Sequence, residues 1–330
     1  MKPTIHDVAR QAGVGIGTVS RVLNRQGEVS EATRQRVLQA IEELHYRPNE
    51  AARSLRSRRT RSIGVVAPFF TRPFYIEVLR GIERALQETT FSMVVFNIER
   101  REEREDLFQS DLVNRVDGLL ILSLVPDTDE IARLQEGEPP TVLLNCHAQG
   151  LPSIELDHVS GVRSAISHLV ELGHERIGFI DHPENPFEMD LPSPRYEGYV
   201  RGLDAHGLLL PLEYQLVREY SRAGGRNGAA RLLTLKVPPT AIFAASDLMA
   251  IGVLEAAEER GLRVPNDLAV VGYYDVELAA FARLTTVRMP AELMGRRAVA
   301  RLLEIMDDQV DEAAHEVLRG ELIVRHTSGA

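Results

Sequence analysis

Arginine side chains concentrated at the start of the chain are the residues most able to do chemistry. Residues 1–61 contain twelve lysines and arginines and six acidic residues, a net charge of +6, whereas the whole chain carries −10 and the remainder therefore −16. A guanidinium can neutralise a phosphate or donate two hydrogen bonds to a guanine edge. A small basic segment on a large acidic one predicts a polyanion-binding module joined to a unit that does not bind polyanions.

Motifs for catalysis, cofactor binding or metal binding are lacking in the sequence. It has no Walker loop, no glycine-rich dinucleotide fingerprint and no Gly-x-Ser-x-Gly elbow. The ten histidines form no His-x-x-x-His pair, and Cys146 beside His147 has a poor ligand geometry. Cys146 is the single cysteine, which excludes an intrachain disulfide. We therefore expect no enzyme activity, no cofactor and no metal site.

The start of the chain carries no apolar segment of the kind that a signal peptide needs. No run approaches 18 apolar residues, so no membrane span is expected. A length of 330 residues exceeds one hydrophobic core and predicts two or three domains. These observations together predict a cytoplasmic protein with no membrane partner.

Three short helices are expected to hold the basic residues. Thr4 and Asp7 form a variant capping box, and the glycines at 13 and 15 should end the first helix after about two turns. A second helix is expected from Ile16 to Leu23, and Ser30 should cap a third. Apolar positions at helical spacing are Ile5, Val8, Ala9, Ala12, Val19, Val22, Leu23, Val37, Leu38, Ile41 and Leu44. The pattern predicts a helix-turn-helix that reads the major groove, and an ordinary three-helix bundle is the alternative.

Residues 7–14, 18–24 and 46–55 resemble the DNA-binding head and hinge of the lac repressor (LacI/GalR) family. The resemblance continues in order through residues 61–66, 172–177, 246–252, 271–273, 284–286 and 322–325. It implies a helix-turn-helix head at 1–47, a hinge helix and linker at 48–61, and a core for effector binding and dimerisation at 62–330.

DNA contacts are expected on the second helix and on the hinge. Gly15, Ile16 and Gly17 stand where relatives often carry polar side chains, so direct reading of bases should rest mainly on Arg21. Side chains at 18 and 20 should hold phosphates or cap the helix. The resemblance implies that Leu55 inserts between base steps in the minor groove, and packing against its own head is the alternative. The predicted DNA-binding set is Thr4, Gly15, Ile16, Gly17, Thr18, Ser20, Arg21, Asn24, Asn49, Ala52, Arg53, Leu55 and Arg56.

Apolar strands alternate with helices after residue 61, which is typical of parallel sheets covered on both faces. Strands are expected at 63–67, 92–96, 118–122, 141–144, 176–180, 241–244 and 269–271. Helices are expected at 103–115, at 247–260 and from near residue 161 onward. A further helix is expected after the first strand, with Ile76, Leu79, Ile82 and Leu86 on one face. About ten such units predict two doubly wound subdomains in an α/β core. The family resemblance implies that this core is periplasmic-binding-protein-like. The family topology implies crossings near Asp157, Thr285 and Gly320, with an N-subdomain at about 62–157 and 286–319 and a C-subdomain at about 158–285 and 320–330.

Ligands of such sheets bind off the carboxyl ends of the strands. Aromatic side chains follow the first strand and a serine follows the third. Arg195 and Asp247 match family residues that hold ligand oxygens, and the alternatives are a surface ion pair for Arg195 and a helix N-terminal acid for Asp247. Phe69 has core packing as its alternative. The predicted effector set is Phe69, Phe74, Tyr75, Ser123, Arg195, Ser246, Asp247, Tyr274 and Asp275.

One departure from the family concerns the segment Gly272-Tyr273-Tyr274-Asp275, where many relatives have Gly-Tyr-Asp-Asp. The pocket loses an anion there and gains an amphipathic ring. The change points away from a strongly polyhydroxylated sugar. The stretch 181–190 is expected to form a long acidic loop beside the pocket.

The leading interpretation is a sequence-specific transcriptional regulator, a repressor of the LacI/GalR type, whose DNA affinity is controlled by a small molecule bound between two lobes. A transporter's solute-binding protein would need a signal peptide and no basic head, and a head fused to a sugar-processing enzyme would need catalytic residues. Expected partners are double-stranded DNA of a near-palindromic operator and an effector, either a carbohydrate or a partly apolar metabolite. No leucine-heptad tail follows the last strand, which favours a homodimer over a tail-mediated tetramer.

Overall fold

A computed structural model describes residues 3–24, 27–46, 60–109, 115–135, 139–182, 193–209, 211–307 and 314–329. The chain divides into two compact units, a head at Met1–Thr60 and a core at Arg61–Ala330. No helix of the described residues is both long enough and apolar enough to cross a bilayer.

The head contains the three predicted helices, α1 at Ile5–Ala12, α2 at Ile16–Asn24 and α3 at Glu31–Glu43. The Asp7 carboxylate accepts hydrogen bonds from the backbone N–H of Thr4 at 2.9 Å and from its hydroxyl at 2.7 Å. These hydrogen bonds hold the pKa of Asp7 below its ordinary value. Gly13 ends α1 in the left-handed conformation, with φ of 64°. Local capping and turn chemistry thus place the start of α2.

The core of the head is built from valines on all three helices. Val8, Val19 and Val37 have no solvent exposure, and alanines fill the space between them. The expectation that Leu38 belongs to this core is wrong, because its side chain is 50% exposed. Val37, Ala40 and Ile41 already occupy the inward face of α3, and Leu38 lies one residue, about 100°, off that face.

The core unit alternates strands and helices along the chain. Its strands are β1 Ser62–Pro68, β2 Ser92–Ile98, β3 Gly118–Leu122, β4 Thr141–Leu144, β5 Ser153–Asp157, β6 Ile177–Asp181, β7 Gln215–Val217, β8 Ala241–Ala244, β9 Ala269–Tyr274, β10 Thr285–Arg288, β11 His315–Arg319 and β12 Glu321–Ile323. Its helices are α4 Pro73–Leu86, α5 Arg101–Gln109, α6 Thr128–Gln135, α7 His158–Glu171, α8 Pro194–Asp204, α9 Arg222–Leu232, α10 Asp247–Glu258, α11 Glu277–Phe281 and α12 Ala291–Met306.

Two six-stranded sheets define two lobes. The first lobe surrounds the order β11-β5-β4-β3-β1-β2, in which all neighbours are parallel. The second lobe surrounds β12-β10-β9-β8-β6-β7, in which only the β12–β10 pair is antiparallel. Strands such as β3 and β8 are buried along their whole length, as the continuous apolar runs require.

The chain passes between the sheets at three places. It first leaves the first sheet for the second after Asp157. After returning to the first sheet, it passes to the second sheet again at Gly320, between β11 and β12. The crossing expected near Thr285 lies after Arg288 instead, because Thr285 to Arg288 all pair with β9 of the second sheet. Residues 286–288 therefore belong to the second lobe.

Two expected helices differ from those observed. Ile76 was expected on the buried face of α4 but is 42% exposed, because Tyr75, Val78 and Ile82 form that face. The helix expected at 103–115 begins at Arg101 and is described to Gln109. Residues 110–114 lie outside the described residues.

Candidate functional site

The exposed face of α2 carries the predicted base-reading residues of the head. Ile16, Gly17 and Arg21 are exposed there, Gly15 is exposed just before the helix, and Val19 turns inward. A Cβ added at Gly15 or at Gly17 would meet no atom within 4 Å, so packing does not require glycine at either position. The side chains at Thr18 and Ser20 are half-buried, and Thr4 is exposed at the start of α1.

Arg21 folds back along its own helix in this conformation. Its Nε donates to the carbonyl of Gly17 at 3.3 Å. The side chain has four rotatable bonds and stays solvent-exposed, so it can extend toward a base edge at the cost of this weak hydrogen bond.

Several predicted DNA contacts lie outside the described residues. They are Asn49, Ala52, Arg53, Leu55 and Arg56 of the expected hinge, together with the side chain of Asn24. Their roles remain predictions from the resemblance. The same holds for most of the expected acidic loop at 181–190, of which only Asp181 and His182 are described.

Strained backbone collects at the carboxyl ends of the strands. Phe69, Ser123 and Asn145 follow β1, β3 and β4 and have φ of 47°, 52° and 55°. In the second lobe, Tyr274 ends β9 with φ of 99° and Asp275 follows with φ of 56°. Non-glycine residues rarely adopt this region, and such outliers cluster at functional sites. The strain lies at the edges where ligands of doubly wound sheets bind.

Aromatic rings close the space between the lobes. Phe74 of α4 lies 4.7 Å from the ring of Tyr274, and Tyr75 packs on Phe74 at 5.3 Å. A cavity of about 20 Å³ remains beside them, lined by Arg72, Phe74, Tyr75, Asn145, His182, Tyr220 and Tyr274. A larger cavity of about 310 Å³ shares Phe74 and Tyr274 with it and continues along Asp275, Arg288 and Met289. The smaller cavity has room for one or two waters but is too small for a metabolite.

Arg195 is fully buried and joins three groups of the second lobe. Its Nε donates to Asp181 at 3.2 Å, its Nη1 to the hydroxyl of Tyr274 at 3.3 Å, and its Nη2 to the carbonyl of His182 at 3.4 Å. Burial opposes ionisation of Asp181, but the guanidinium of Arg195 holds the pKa of that carboxyl below its ordinary value. The interpretation of Arg195 as a surface ion pair is wrong, because no part of it is exposed.

The carboxylate of Asp247 is hydrogen-bonded to other residues of the second lobe. It is 1% exposed and accepts a hydrogen bond from the hydroxyl of Thr286 at 2.5 Å and one from the backbone N–H of Val276 at 2.8 Å. Burial raises the pKa of Asp247 to about 7. Ser246 caps α10 through the N–H of Met249. One oxygen of Asp247 thus holds the loop after Tyr274 through Val276, and the other is bonded to Thr286 of β10.

Asp275 is held by two arginines. Arg288 Nε donates to it at 2.8 Å, and Arg325 Nη1 lies 2.7 Å away. The Asp275 side chain is 5% exposed. Phe69 is half-buried beneath the guanidinium of Arg72, whose Cζ is 4.3 Å from the ring centroid. Of the predicted effector residues, the smaller cavity brings together Phe74, Tyr75 and Tyr274, and the others support or flank them.

Sequence reasoning missed a polar chain that joins the lobes. Asn145 donates to Ser123 at 3.0 Å, and its amide oxygen accepts from His158 Nε2 at 2.8 Å. His158 Nδ1 lies 2.8 Å from the hydroxyl of Tyr273 in the second lobe. Because the amide oxygen only accepts, a neutral His158 carries its proton on Nε2 and accepts from the Tyr273 hydroxyl at Nδ1.

Arg72 and Tyr220 were also missed. The Arg72 guanidinium lies 4.7 Å from the ring of Tyr220, which belongs to the second lobe. Burial raises the pKa of Tyr220 to about 12. Asn145 and His182 come just after predicted strands, so applying the strand-end rule to every predicted strand would have found them, whereas Tyr220 follows β7, which was not predicted.

The head and most of the second lobe match two family models. Residues 4–49 match the bacterial regulatory proteins of the lacI family, and residues 166–328 match the periplasmic binding protein-like domain. The HTH-type transcriptional repressor CytR of Escherichia coli (strain K12) is 34% identical over 332 residues, covering 99% of this chain and 96% of CytR. The chain belongs to the lacI family. The predicted family is confirmed.

Solved structures of this family share the fold. The lac repressor dimer bound to operator and the anti-inducer ONPF is 30% identical, covers 100% of both chains and has a TM-score of 0.88. The complex of the transcriptional regulator CelR with cellobiose is 34% identical, covers 98% of this chain and 99% of CelR, and has a TM-score of 0.72. The predicted helix-turn-helix head and two-lobed core are therefore confirmed.

Proposed function

We propose that this protein is a homodimeric transcriptional repressor that binds a near-palindromic operator and releases or tightens it when a small metabolite binds between the lobes of the core. The observation that carries the proposal is the union, in one chain, of a helix-turn-helix head with a two-lobed core whose lobes meet at strained, aromatic strand ends. Full-length similarity to the operator-bound lac repressor supports the same function.

The operator contacts are proposed to come from the exposed face of α2 and from the hinge. Arg21 would donate to a guanine edge, which needs its guanidinium to leave the carbonyl of Gly17. Gly15 and Gly17 leave open space, so the backbone of α2 can approach the groove closely. The hinge residue Leu55 would unstack a base step and bend the duplex. Specificity would then combine one strong base contact with sequence-dependent bending.

The effector is proposed to replace contacts that now join the lobes. Metabolite sites have volumes of roughly 300–1,000 Å³, far above the 20 Å³ cavity, so binding in that cavity needs the lobes to separate, whereas the adjoining cavity of about 310 Å³ is at the lower end of that range. Separation would break the Phe74–Tyr274 and Arg72–Tyr220 contacts. A ligand that supplies a flat or apolar surface to these rings would compensate for their loss.

The chemistry of the cleft favours a ligand with both an apolar face and hydrogen-bonding groups. Phe74, Tyr75 and Tyr220 supply ring faces, and Asn145 and His182 supply polar atoms. We propose either a carbohydrate with an apolar portion or another partly apolar compound; CelR is seen with cellobiose. Arg195 and Asp247 would act by fixing the Tyr274 segment, since both are buried beneath it.

The proposed function also implies where the protein acts and that it acts without catalysing a reaction. A repressor must meet the chromosome, so we propose a cytoplasmic protein that acts by binding and without catalysis. The relative CytR is a transcriptional repressor, in keeping with this proposal.

Operator binding tests the proposal directly. Selection of DNA sequences by the full-length protein should yield a two-fold symmetric site, and affinity should fall steeply as salt rises because bound phosphates release counterions. Arg21→Ala should cost about 1–3 kcal/mol on that site and much less on random DNA. An affinity that barely changes with salt, or an asymmetric selected site, would argue against a dimeric operator-binding repressor.

A further inference from the structure

Three side chains that can bind a metal meet at the edge of the first sheet. One ligand atom from each of His147, Glu155 and His315 lies within 4.8 Å of the other two. His315 Nε2 is 3.3 Å from a carboxylate oxygen of Glu155, and the two imidazole rings are 4.8 Å apart. These residues line neither cavity of the cleft.

The sheet register explains why they meet. His315 of β11 pairs with Ser153 of β5, and Glu155, two residues beyond Ser153, lies on the same face of the sheet. His147 comes from the loop after β4, the other neighbour of β5. Three adjacent chain segments therefore supply one ligand each. Their separation in sequence explains why spacing motifs predicted no metal site.

Ser153 orients both imidazoles. Its hydroxyl lies 2.9 Å from Nδ1 of His147 and 2.8 Å from Nδ1 of His315, and the residue is 1% exposed. A hydroxyl oxygen has two lone pairs, so it can accept a hydrogen bond from both Nδ1–H groups. That tautomer leaves the Nε2 lone pair of each ring available. Metal-binding histidines usually donate their other ring N–H in this way.

We propose that His147, Glu155 and His315 bind a divalent transition-metal ion, with zinc as the best match, and that water completes its coordination. Two imidazoles and a carboxylate are typical zinc ligands, whereas magnesium and calcium prefer oxygen alone. Ligand atoms of a tetrahedral zinc lie about 3.3 Å apart, given bonds of about 2.0–2.1 Å. The His315–Glu155 distance already meets this value, and the exposed His147, whose ligand atom lies within 4.8 Å of the other two, needs only a small shift to supply the third ligand.

The site is open to solvent. The side chains of His315 and Glu155 are 37% and 32% exposed, so an ion can enter and keep water. Bound metal would tie the loop after β4 to β11, the strand that leads into the crossing at Gly320. That loop begins with Asn145, two residues before His147, which belongs to the polar chain between the lobes. Metal is thus a second ligand of the core, distinct from the effector.

Calorimetric titration of zinc into the full-length protein, freed of any purification tag, tests the proposal. We expect one zinc per chain. His315→Ala and Glu155→Gln should each lower the zinc affinity at least tenfold, and Ser153→Ala should lower it about 10–100-fold because the rings lose their orientation. The matched control is His206→Ala, since His206 is also bonded to a serine hydroxyl, that of Ser167, at 2.9 Å. The zinc affinity of His206→Ala should equal that of the parent protein.

Cobalt spectra identify the ligands independently. Cys146 is next to His147, but its thiol is buried and contacts the carbonyl of Leu124 at 3.3 Å. We therefore expect no thiolate charge-transfer band in the cobalt-substituted protein. Any of three results would overturn the proposal: a thiolate band in the cobalt spectrum, zinc binding that does not saturate, or an unchanged zinc affinity in His315→Ala. If circular dichroism shows that His315→Ala does not fold, the zinc affinity of His147→Ala, a substitution in the exposed loop, decides the question.

Discussion

Replacing Arg195 with alanine should destabilise the core strongly, beyond any effect on effector binding. The guanidinium is fully buried and pairs with Asp181, whose side chain is 9% exposed. Ser193 donates to the second carboxylate oxygen of Asp181 at 2.5 Å, but a hydroxyl cannot replace the positive charge. The variant would therefore bury an uncompensated carboxylate.

Breaking one side of a buried ion pair costs about 3–5 kcal/mol. The pKa of Asp181 is depressed while Arg195 is present, so the pair stabilises the parent above the ordinary carboxyl pKa, and this stability is lost as pH falls through the depressed value. In the variant, protonation of Asp181 relieves the penalty. The difference between parent and variant should therefore shrink as pH approaches about 4.

Urea unfolding at pH 7, followed by far-UV circular dichroism, measures this cost. The chain has no tryptophan, and protein concentration must be fixed because dimer dissociation is linked to unfolding. The control is Arg263→Ala, which breaks the exposed pair with Asp267 and should cost less than about 1 kcal/mol. A loss below 1 kcal/mol in Arg195→Ala, or an equal loss in the Asp181→Asn background, would refute the reasoning.

Two further substitutions test the loop support and the reading helix. Because burial raises the pKa of Asp247 to about 7, the stability of the core should fall as pH rises from about 4 to 7, and Asp247→Asn should lack this fall in melting temperatures; parallel curves would contradict it. Gly17→Ala should raise the free energy of opening of α2 by up to about 1 kcal/mol, because its Cβ meets open space. Faster hydrogen exchange of α2 amides in the variant would show that glycine is needed there.

The fold could be predicted where local signals and tertiary packing agree. Thr4, Asp7 and Gly13 set the first turn of the head through local chemistry, and β3 and β8 are unbroken apolar runs. Helix α9 escaped prediction because it contains three glycines, a composition typical of loops. The backbone of α10 leaves no room for a Cβ at Gly225, so close helix packing overrides propensity.

The site could be predicted only in part. Phe74, Tyr75 and Tyr274 were found from strand ends and from the departure at position 274, and they do line one cavity. The sequence does not reveal that both carboxylate oxygens of Asp247 accept hydrogen bonds from its own lobe, since the donors lie 29 and 39 residues away along the chain. His158 escaped for the same reason, because its hydrogen bonds to Asn145 and Tyr273 depend on how the lobes meet.

Reciprocal coupling between the cleft and the operator is the most direct test of the central claim. A metabolite found by thermal shift should be titrated into the full-length protein alone and into the protein saturated with its selected operator. Allosteric coupling typically changes affinity about 5–150-fold, and linkage requires the metabolite to change operator affinity by the same factor. We predict equal factors in the two titrations, abolished together in a Tyr220→Ala variant. Identical metabolite affinity with and without operator would contradict the account.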